Sequence, residues 1–484
     1  MWKGPGRRDF EGALSALESL ITQSTGGRRT KDFLYENSLD AVQSYVSRLG
    51  LELDRLRVIH VAGTKGKGST SAFSERMLRG FGLRTGLFTS PHLVHCRERI
   101  RICGDPVSED CFTHHFWNCW DRLSDTRTAE LPHMPTYFRF LTVLGLKIFL
   151  EEGVDVAVVE VGMGGRLDAT NVIPRPVVTG CTTLGYDHMN VLGNTLREIA
   201  REKAGIFKSG VPAITSPQQP EGMRSLIARA LELQIPLFQA LPLSRYPTEP
   251  PIIPGIEGEH QHINAALALS LVACFLQRCP DAPISKGVEL ANSIRSSFIF
   301  DEQGALDALQ GEDQVALTHP FEVGSLESKS PLLCGLQETV WPGRSQRIPL
   351  SPSEHVTLYL DGAHTDDSLV LARRWYEEKI RGDKKSVNIL LFNCSNDRHP
   401  EKLLLALRKG IVLRRGNADA PADSEEHKDH LYHAADFDPS FFDVVLFVRT
   451  DSTHVALRSS SSSSSSCIGD PTYLSDHYEE FTDW

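Results

Sequence analysis

The sequence predicts an α/β protein built on a mostly parallel sheet, with a second, smaller α/β unit toward the C-terminus. Three observations carry this. The short apolar run Val58-Ile59-His60-Val61-Ala62 stops at Gly63-Thr64-Lys65-Gly66-Lys67-Gly68 and continues from Ser69 with helical residues, the strand, glycine turn and helix N-terminus of an anion cradle. The run Val154-Asp155-Val156-Ala157-Val158-Val159-Glu160-Val161 is nearly continuous in apolar residues, as in a strand covered on both faces. From about residue 345 a fresh alternation of apolar runs and helical periodicity begins. A glycine-rich turn also has a plainer reading as a tight turn, and the general phosphate-loop pattern is matched imperfectly: its distant glycine falls at Val61, and Gly68 follows Lys67. The strand before the turn and Lys67-Gly68-Ser69 within it favour nucleotide phosphates, with Lys67 reaching them and Ser69 or Thr70 facing a magnesium ion.

In chain order, Phe10, Leu14, Leu17 and Ile21 recur at helical spacing, and a second helix is expected over 38–49. After the phosphate turn, residues 84–93 read as a short strand and a loop. That loop carries Arg97, Glu98, Arg99 and Arg101, either a solvated surface or a grip on an acidic substrate. Glu160 falls at the carboxyl end of its strand, where open α/β sheets bind ligands. An unpaired buried carboxylate is costly, so a metal or basic partner is expected there. The next strand, about 177–184, leads to Asp187-His188 at the same edge, and a magnesium site shared with Glu160 is favoured over a surface pair.

In the helix expected over 196–207, Leu196, Ile199, Ala200, Lys203 and Phe207 share one stripe. Lys203 therefore either snorkels to water or is a lysine of depressed pKa available for chemistry. Residues 259–276 predict a largely buried helix with His260, Gln261 and Asn264 at its start. Residues 311–337 read as variable connection, with a domain boundary near 335–345. Strand 355–360, helix 367–380, strand 387–392, helix 400–409 and strand 443–448 follow. The polar stretch 413–437 and the eight serines of 459–466 are expected to be disordered.

Composition bounds the function. At 484 residues the chain is long enough for two or three domains. A net charge of −11 counts against nucleic acid, which needs a basic face, so an anionic ligand must be held by a local basic pocket. No apolar run approaches the roughly 20 residues that span a bilayer. Ten scattered cysteines without a CxxC pair read as buried thiols of a reducing compartment. Asp9, Glu11 and Glu18 spoil a transit-peptide pattern at the N-terminus.

Ten motifs, in order, then give a family resemblance. They are Gly63-Thr64-Lys65-Gly66-Lys67-Gly68-Ser69, Thr89-Ser90-Pro91-His92-Leu93, Glu98-Arg99-Ile100, Val159-Glu160-Val161-Gly162, Asp168-Ala169-Thr170-Asn171, Asp187-His188, Glu202-Lys203-Ala204-Gly205-Ile206, His260-Gln261 with Asn264-Ala265, Pro342-Gly343-Arg344, and Asp361-Gly362-Ala363-His364. From about residue 34 to 410 the chain resembles the folylpolyglutamate synthases, a branch of the Mur-ligase-like ATP-dependent amide ligases. The resemblance implies a P-loop-containing, Mur-ligase-like central domain with a parallel-rich sheet, then a smaller Rossmann-like α/β C-terminal domain. It divides the chain into 1–337 (ATP and folate), a linker at 338–344, and 345–484.

The resemblance also implies roles. Gly63, Thr64, Lys65, Gly66, Lys67, Gly68 and Ser69 hold ATP together with Asn264, Arg344 and Asp361. Ser90 and Glu160 ligate one Mg2+ and His188 a second, with a monovalent cation as a further candidate. Lys67, Lys203, Arg344 and His364 take part in catalysis, Lys203 as a carbamylated lysine, and His364 or Asp361 meets the nucleotide or incoming amino acid. The implied partners are reduced folates and L-glutamate, with no nucleic acid and no membrane. The implied protein is a cytoplasmic monomer, mitochondrial only in a longer isoform. Arg139 stands where bifunctional bacterial relatives carry an acidic residue, which favours polyglutamylation over the rival dihydrofolate synthase or bifunctional activity. The chain ends at Thr482-Asp483-Trp484 without the family's usual Gly-Ser-Leu-like signature. A missing last strand and helix, and with it an inactive nucleotide-binding protein, is the expectation from another class.

Overall fold

The computed structural model describes residues 7–22, 38–127, 134–246, 251–296, 301–305, 316–317, 330–351, 356–381, 387–392, 403–404, 406–407 and 444–447. The expected disorder at 413–437 and 459–467, and the expected loss of a final strand and helix, lie outside these residues.

The helices run α1 (Phe10–Thr22), α2 (Ser38–Leu49), α3 (Lys67–Gly80), α4 (Glu109–Asp125), α5 (Tyr137–Glu151), α6 (Met189–Leu192), α7 (Leu196–Lys203), α8 (Pro220–Leu233), α9 (Gln261–Arg278), α10 (Val288–Ser296), α11 (Pro331–Glu338) and α12 (Asp366–Ile380). The strands are β1 (Val58–Ala62), β2 (Thr85–Phe88), β3 (Ile100–Ile102), β4 (Asp105–Pro106), β5 (Val156–Glu160), β6 (Val178–Cys181), β7 (Ala213–Thr215), β8 (Leu237–Gln239), β9 (Ala316–Leu317), β10 (Gln346–Ser351), β11 (Val356–Leu360), β12 (Ile389–Phe392) and β13 (Val444–Phe447).

The first nine strands form one sheet in the order β4-β3-β2-β5-β1-β6-β7-β8-β9. β1 is central, parallel to β5 on one side and β6 on the other. Within this sheet, among the described residues, only the β2–β3 and β3–β4 pairings are antiparallel. All five residues of β1 and of β5 are buried, as their apolar runs require of strands covered on both faces. One face carries α3, α9 and α11, whose Phe73, Met77, Phe275 and Leu336 share one buried cluster with Ile59 and Val158. The other carries α1, α2, α4 and α5, around Phe116, Phe140 and Phe149. His60, wholly buried within β1, makes one hydrogen-bond contact, from Nε2 to Thr170 Oγ1 at 2.9 Å. Burial pushes its pKa down to about 3, so it is a neutral core residue.

Several expectations need correction. The helix from Leu196 ends at Lys203 and tightens into a 3-10 turn over Ala204–Ile206. Gly205, in that turn, packs so closely on the neighbouring chain that a Cβ there would lie 2.3 Å from Arg166 Cβ. Residues 311–337 include a helix, because α11 starts with Ser330 capping Leu333 N–H at 3.2 Å and Pro331 in its first turn. Its eight residues are too few for periodicity to announce. β10 was absent from the sequence reading and pairs antiparallel with β11, whereas β12 and β13 pair in parallel. Among the described residues none of these four joins the large sheet. Of the helix expected over 400–409, Leu403, Leu404 and Leu407 are seen, buried with Leu369 and Phe392. Among the described residues no helix is long and apolar enough to cross a membrane.

The α4–α5 face is an aromatic cluster. Phe116 is fully buried, stacks on Trp120 at 5.5 Å and meets Phe140 at 4.9 Å. Phe116→Ala is expected to cost about 3–5 kcal/mol, read as a lower urea midpoint at unchanged slope.

Candidate active site

The site grows from the carboxyl end of β1. Thr64 and Lys65 N–H both donate to Thr183 O, at 3.0 and 3.1 Å, and Thr64 Oγ1 bonds Gly185 O and N at 3.1 and 3.0 Å. The turn is thus pinned to the chain leaving β6. Two glycines are obligatory. Gly63 and Gly66 have φ of 145° and 85°, and a Cβ would fall 1.8 Å from Thr182 Oγ1 or 2.0 Å from Asn264 Oδ1. Gly66 caps α3, which begins at Lys67 and turns its free N–H groups and positive dipole end to the same opening.

Glu160, at the end of β5, is 3% exposed. Its Oε2 accepts from Ser90 N at 3.0 Å. Burial raises its pKa, opposed by the charge of Lys67, the Ser90 N–H and the charges of Arg344 and Arg99. Lys203 is also buried, and its Nζ donates to Gly63 O at 2.8 Å. Burial, then the positive charge of Lys67, lowers its pKa to about 7. The amine is therefore substantially neutral near pH 7, and the snorkelling reading fails.

The segment after β9 completes the site. Lys65 Nζ donates to Asp187 Oδ2 at 3.1 Å and lies 3.5 Å from His364 Nε2. His364 Nδ1 is 2.7 Å from Gly362 O, and its Nε2 lies 3.6 Å from Asp187 Oδ2. Burial alone would raise the pKa of Asp187, but hydrogen bonding from His364 and the charge of Lys65 hold it well below the usual range. Asp361 is engaged by its own loop, accepting from Ser345 N at 2.7 Å and Ala363 N at 2.8 Å. Arg344 Nη1 rests on Gly343 O at 2.9 Å. Asn264 Nδ2 donates to Gln261 Oε1 at 2.8 Å, which presents the start of α9.

These groups surround one cavity of about 1320 Å³. Thr64, Lys65, Gly66, Lys67, Gly68, Ser69, Ser90, Glu160, His188, Asn264, Arg344, Asp361 and His364 line it. Among the expected site residues, Gly63 and Lys203 do not; they lie behind the turn, joined by their hydrogen bond. The Asp187–His188 pair stays together at the cavity: His188 lines it in a left-handed backbone conformation (φ 51°), and Asp187 lines it with its carboxylate held by Lys65 and near His364. The arginine loop divides. Arg97 binds Val107 O at 2.8 Å and Glu109 at 3.3 Å, Arg101 lies over the Trp341 ring at 5.0 Å, and Glu98 accepts from the N–H groups of Leu93, Val94 and His95. Arg99 lines the cavity with Arg139 and Phe138; it is oriented by His92 Nδ1 at 2.8 Å and by the Tyr137 ring at 5.7 Å.

Sequence reasoning missed Trp341 as a site residue and named Arg99 only as one of several arginines of a loop that could grip an acidic substrate. A Cβ on Gly68 would lie 3.2 Å from Trp341 Nε1 and 3.6 Å from Glu160 Oε2, so this glycine lets the indole and the carboxylate close on the start of α3. Trp341 directly before Pro342-Gly343-Arg344 was the available signal.

No protein-family profile matches the chain. A mitochondrial folylpolyglutamate synthase of Bos taurus is 44% identical over 383 residues, covering 77% of this chain and 61% of that protein. A folylpolyglutamate synthase of Arabidopsis thaliana is 40% identical over 434 residues, covering 83% and 69%. The chain thus spans about three fifths to two thirds of the length of such relatives. A solved Mycobacterium tuberculosis folylpolyglutamate synthase complexed with ADP superposes with a TM-score of 0.61 at 25% identity, over 83% of this chain and 80% of that one.

The depressed Lys203 pKa has a signed consequence. Between about pH 7 and the ordinary lysine range the unfolded chain binds a proton that the folded one does not, so stability rises with pH across that window. Lys203→Met is expected to remove this rise, measured as the wild-type-minus-variant difference in urea midpoints between pH 6.5 and 9.5; equal slopes overturn the assignment.

Proposed function

The chain belongs to the folylpolyglutamate synthase family, and on that premise we propose that it is an ATP-dependent ligase adding L-glutamate in γ-linkage to reduced folates. The observation that carries this is the single cavity: a phosphate turn, a buried carboxylate and an arginine from the later segment open on the same space as Arg99, Arg139 and Phe138. Its volume of about 1320 Å³ exceeds the roughly 300–1,000 Å³ of a one-ligand pocket, as a site for a nucleotide and a second anionic substrate must.

A carboxylate is a poor electrophile, so the γ-carboxylate of the folate's terminal glutamate first attacks the γ-phosphorus of ATP, giving an acyl phosphate and ADP. The free amine of L-glutamate then attacks the acyl carbon, phosphate leaves, and the amine loses a proton as the amide forms. The first transfer is chiefly positioning and charge stabilisation. The backbone of 63–69 holds the phosphates, Lys67 and Arg344 meet the charge on the transferred group, and Asn264, Asp361 and His364 read the nucleotide or orient the incoming amino acid.

The hydroxyl of Ser90 and the buried carboxylate of Glu160 are hard oxygen donors that fit Mg2+, and His188 faces the same space. Mg2+ bound there offsets the negative charge of the phosphates. Lys203, neutral enough to add CO2, is the candidate for carbamylation, which would place an anion behind the turn. Arg139, beside Phe138, is suited to the folate or its glutamate tail and favours polyglutamylation over dihydrofolate synthesis. The proposed compartment is the cytoplasm, with a mitochondrial form if a longer transcript exists, and the proposed state is a monomer.

The testing experiment supplies tetrahydrofolate, Mg-ATP and L-glutamate and reads ADP release with product masses. A glutamate-dependent ladder of folate masses is expected; ATP binding without ADP or ladder overturns the ligase reading. Arg344→Ala is expected to lower turnover about 10²–10³-fold with ATP binding retained, and unchanged turnover removes that residue from the mechanism.

A further inference from the structure

We propose that Cys111, His115 and Glu152 form a binding site for a thiophilic divalent cation of the zinc type, at the end of the sheet opposite the candidate active site. Cys111 and His115 stand one turn apart on α4, and Glu152 follows α5. Cys111 Sγ lies 3.8 Å from Glu152 Oε1, His115 Nε2 lies 3.5 Å from the same oxygen, and the three ligand atoms are all within 4.8 Å of one another. Tetrahedral zinc with bonds of about 2.0–2.3 Å sets its ligand atoms about 3.4–3.7 Å apart. Two of the three edges therefore already approach the required length. A thiolate, an imidazole and a carboxylate oxygen are a zinc donor set, softer than the oxygen set that suits Mg2+.

The surroundings have the form of an outer ligand shell. Glu152 Oε2 accepts from Arg84 Nη2 at 3.0 Å, which leaves Oε1 to the cluster. Glu151 pairs one oxygen with Lys147 and brings the other to 2.9 Å from His115 Nδ1. The His115 ring is 5% exposed, and Nδ1 lacks an aligned hydrogen-bond partner. With Nε2 on a cation, a small ring rotation lets the Nδ1–H donate to Glu151, the carboxylate–histidine–metal relation that fixes a ligand's tautomer. Burial depresses the His115 pKa, which keeps the imidazole neutral and able to ligate. Burial and Glu152 push the Cys111 thiol up to about 11, so metal uptake must displace its proton.

The location separates this site from the catalytic one. Arg84 and Asp155, joined from Arg84 N to Asp155 Oδ2 at 2.7 Å, precede β2 and β5, whereas the candidate active site lies beyond the strands' carboxyl ends. A bound ion there ties the first turns of α4 to the end of α5.

The test uses the purified full chain after chelator treatment. Co2+ is expected to bind with a sulfur-to-cobalt charge-transfer band in the near ultraviolet, displaced by Zn2+ and absent in Cys111→Ser. In the wild-type protein, Zn2+ is expected to slow alkylation of Cys111 by iodoacetamide at least tenfold, read by peptide mass; this arm does not depend on the variant folding. Glu151→Gln is expected to weaken Co2+ binding about 10-fold or more. An undiminished band in Cys111→Ser, or unchanged alkylation of Cys111 with Zn2+ present, overturns the site.

Discussion

Glu160 carries its carboxylate at the end of a strand covered on both faces, and the architecture around it answers that desolvation. Water is replaced by the Ser90 N–H and by the charges of Lys67, Arg344 and Arg99. These come from the loop after β2, the first residue of α3 and the segment after α11. The position of Glu160 thus obliges distant stretches of chain to converge on one point. Such an arrangement is poor evidence of stability, since burying charges costs about what their attraction returns. It is good evidence of a site built for additional charge, because a field already assembled needs little reorganisation when anionic groups arrive.

The join between the later segment and the sheet domain is polar. From α12, Trp375 Nε1 donates to Glu257 Oε2 at 2.8 Å, Lys379 reaches Glu257 Oε1 at 2.9 Å, and Arg374 reaches Glu259 at 3.2 Å. Across the cavity, Lys65, Asp187 and His364 close the other side. Hydrogen-bonded and partly exposed contacts of this kind resemble a transient interface more than a shared core. They hold this arrangement through directional bonds and ion pairs instead of apolar burial.

Much of this was legible in the sequence for identifiable reasons. β1, β5 and α9 are continuous apolar runs, a pattern that burial on all sides demands, and the glycines of 63–68 mark a turn that no other residue type fits. The direction of Lys203 followed from its stripe. Its partner, Gly63 O, did not, because the two are brought together only by tertiary packing. The same holds for Lys65 with Asp187 and His364, whose sequence separations carry no periodic signal. Arg97, Arg99 and Arg101 alternate along one loop and look equivalent on paper; folding sends one to a carbonyl, one to the cavity and one over an indole. Cys111 and His115 are a helical pair, but Glu152 lies on a different element, so no spacing rule finds the cluster. Short helices such as α11, fixed by a cap and by packing on α3, stay below what periodicity resolves.

The tryptophans among the described residues fall into distinct optical environments. Trp117 and Trp120 sit inside the aromatic cluster on the α4–α5 face, whereas Trp341 lies between Arg101 and the start of α3 beside Glu160, and Trp375 is tied to Glu257 at the polar join. Emission from the first pair follows the integrity of the core. Trp341 is placed for quenching or blue-shift when the space next to Glu160 fills, and Trp375 reports on the polar contact with Glu257. The described residues thus carry intrinsic fluorophores for core integrity, site occupancy and the polar join, separable by single Trp→Phe replacements without an attached dye.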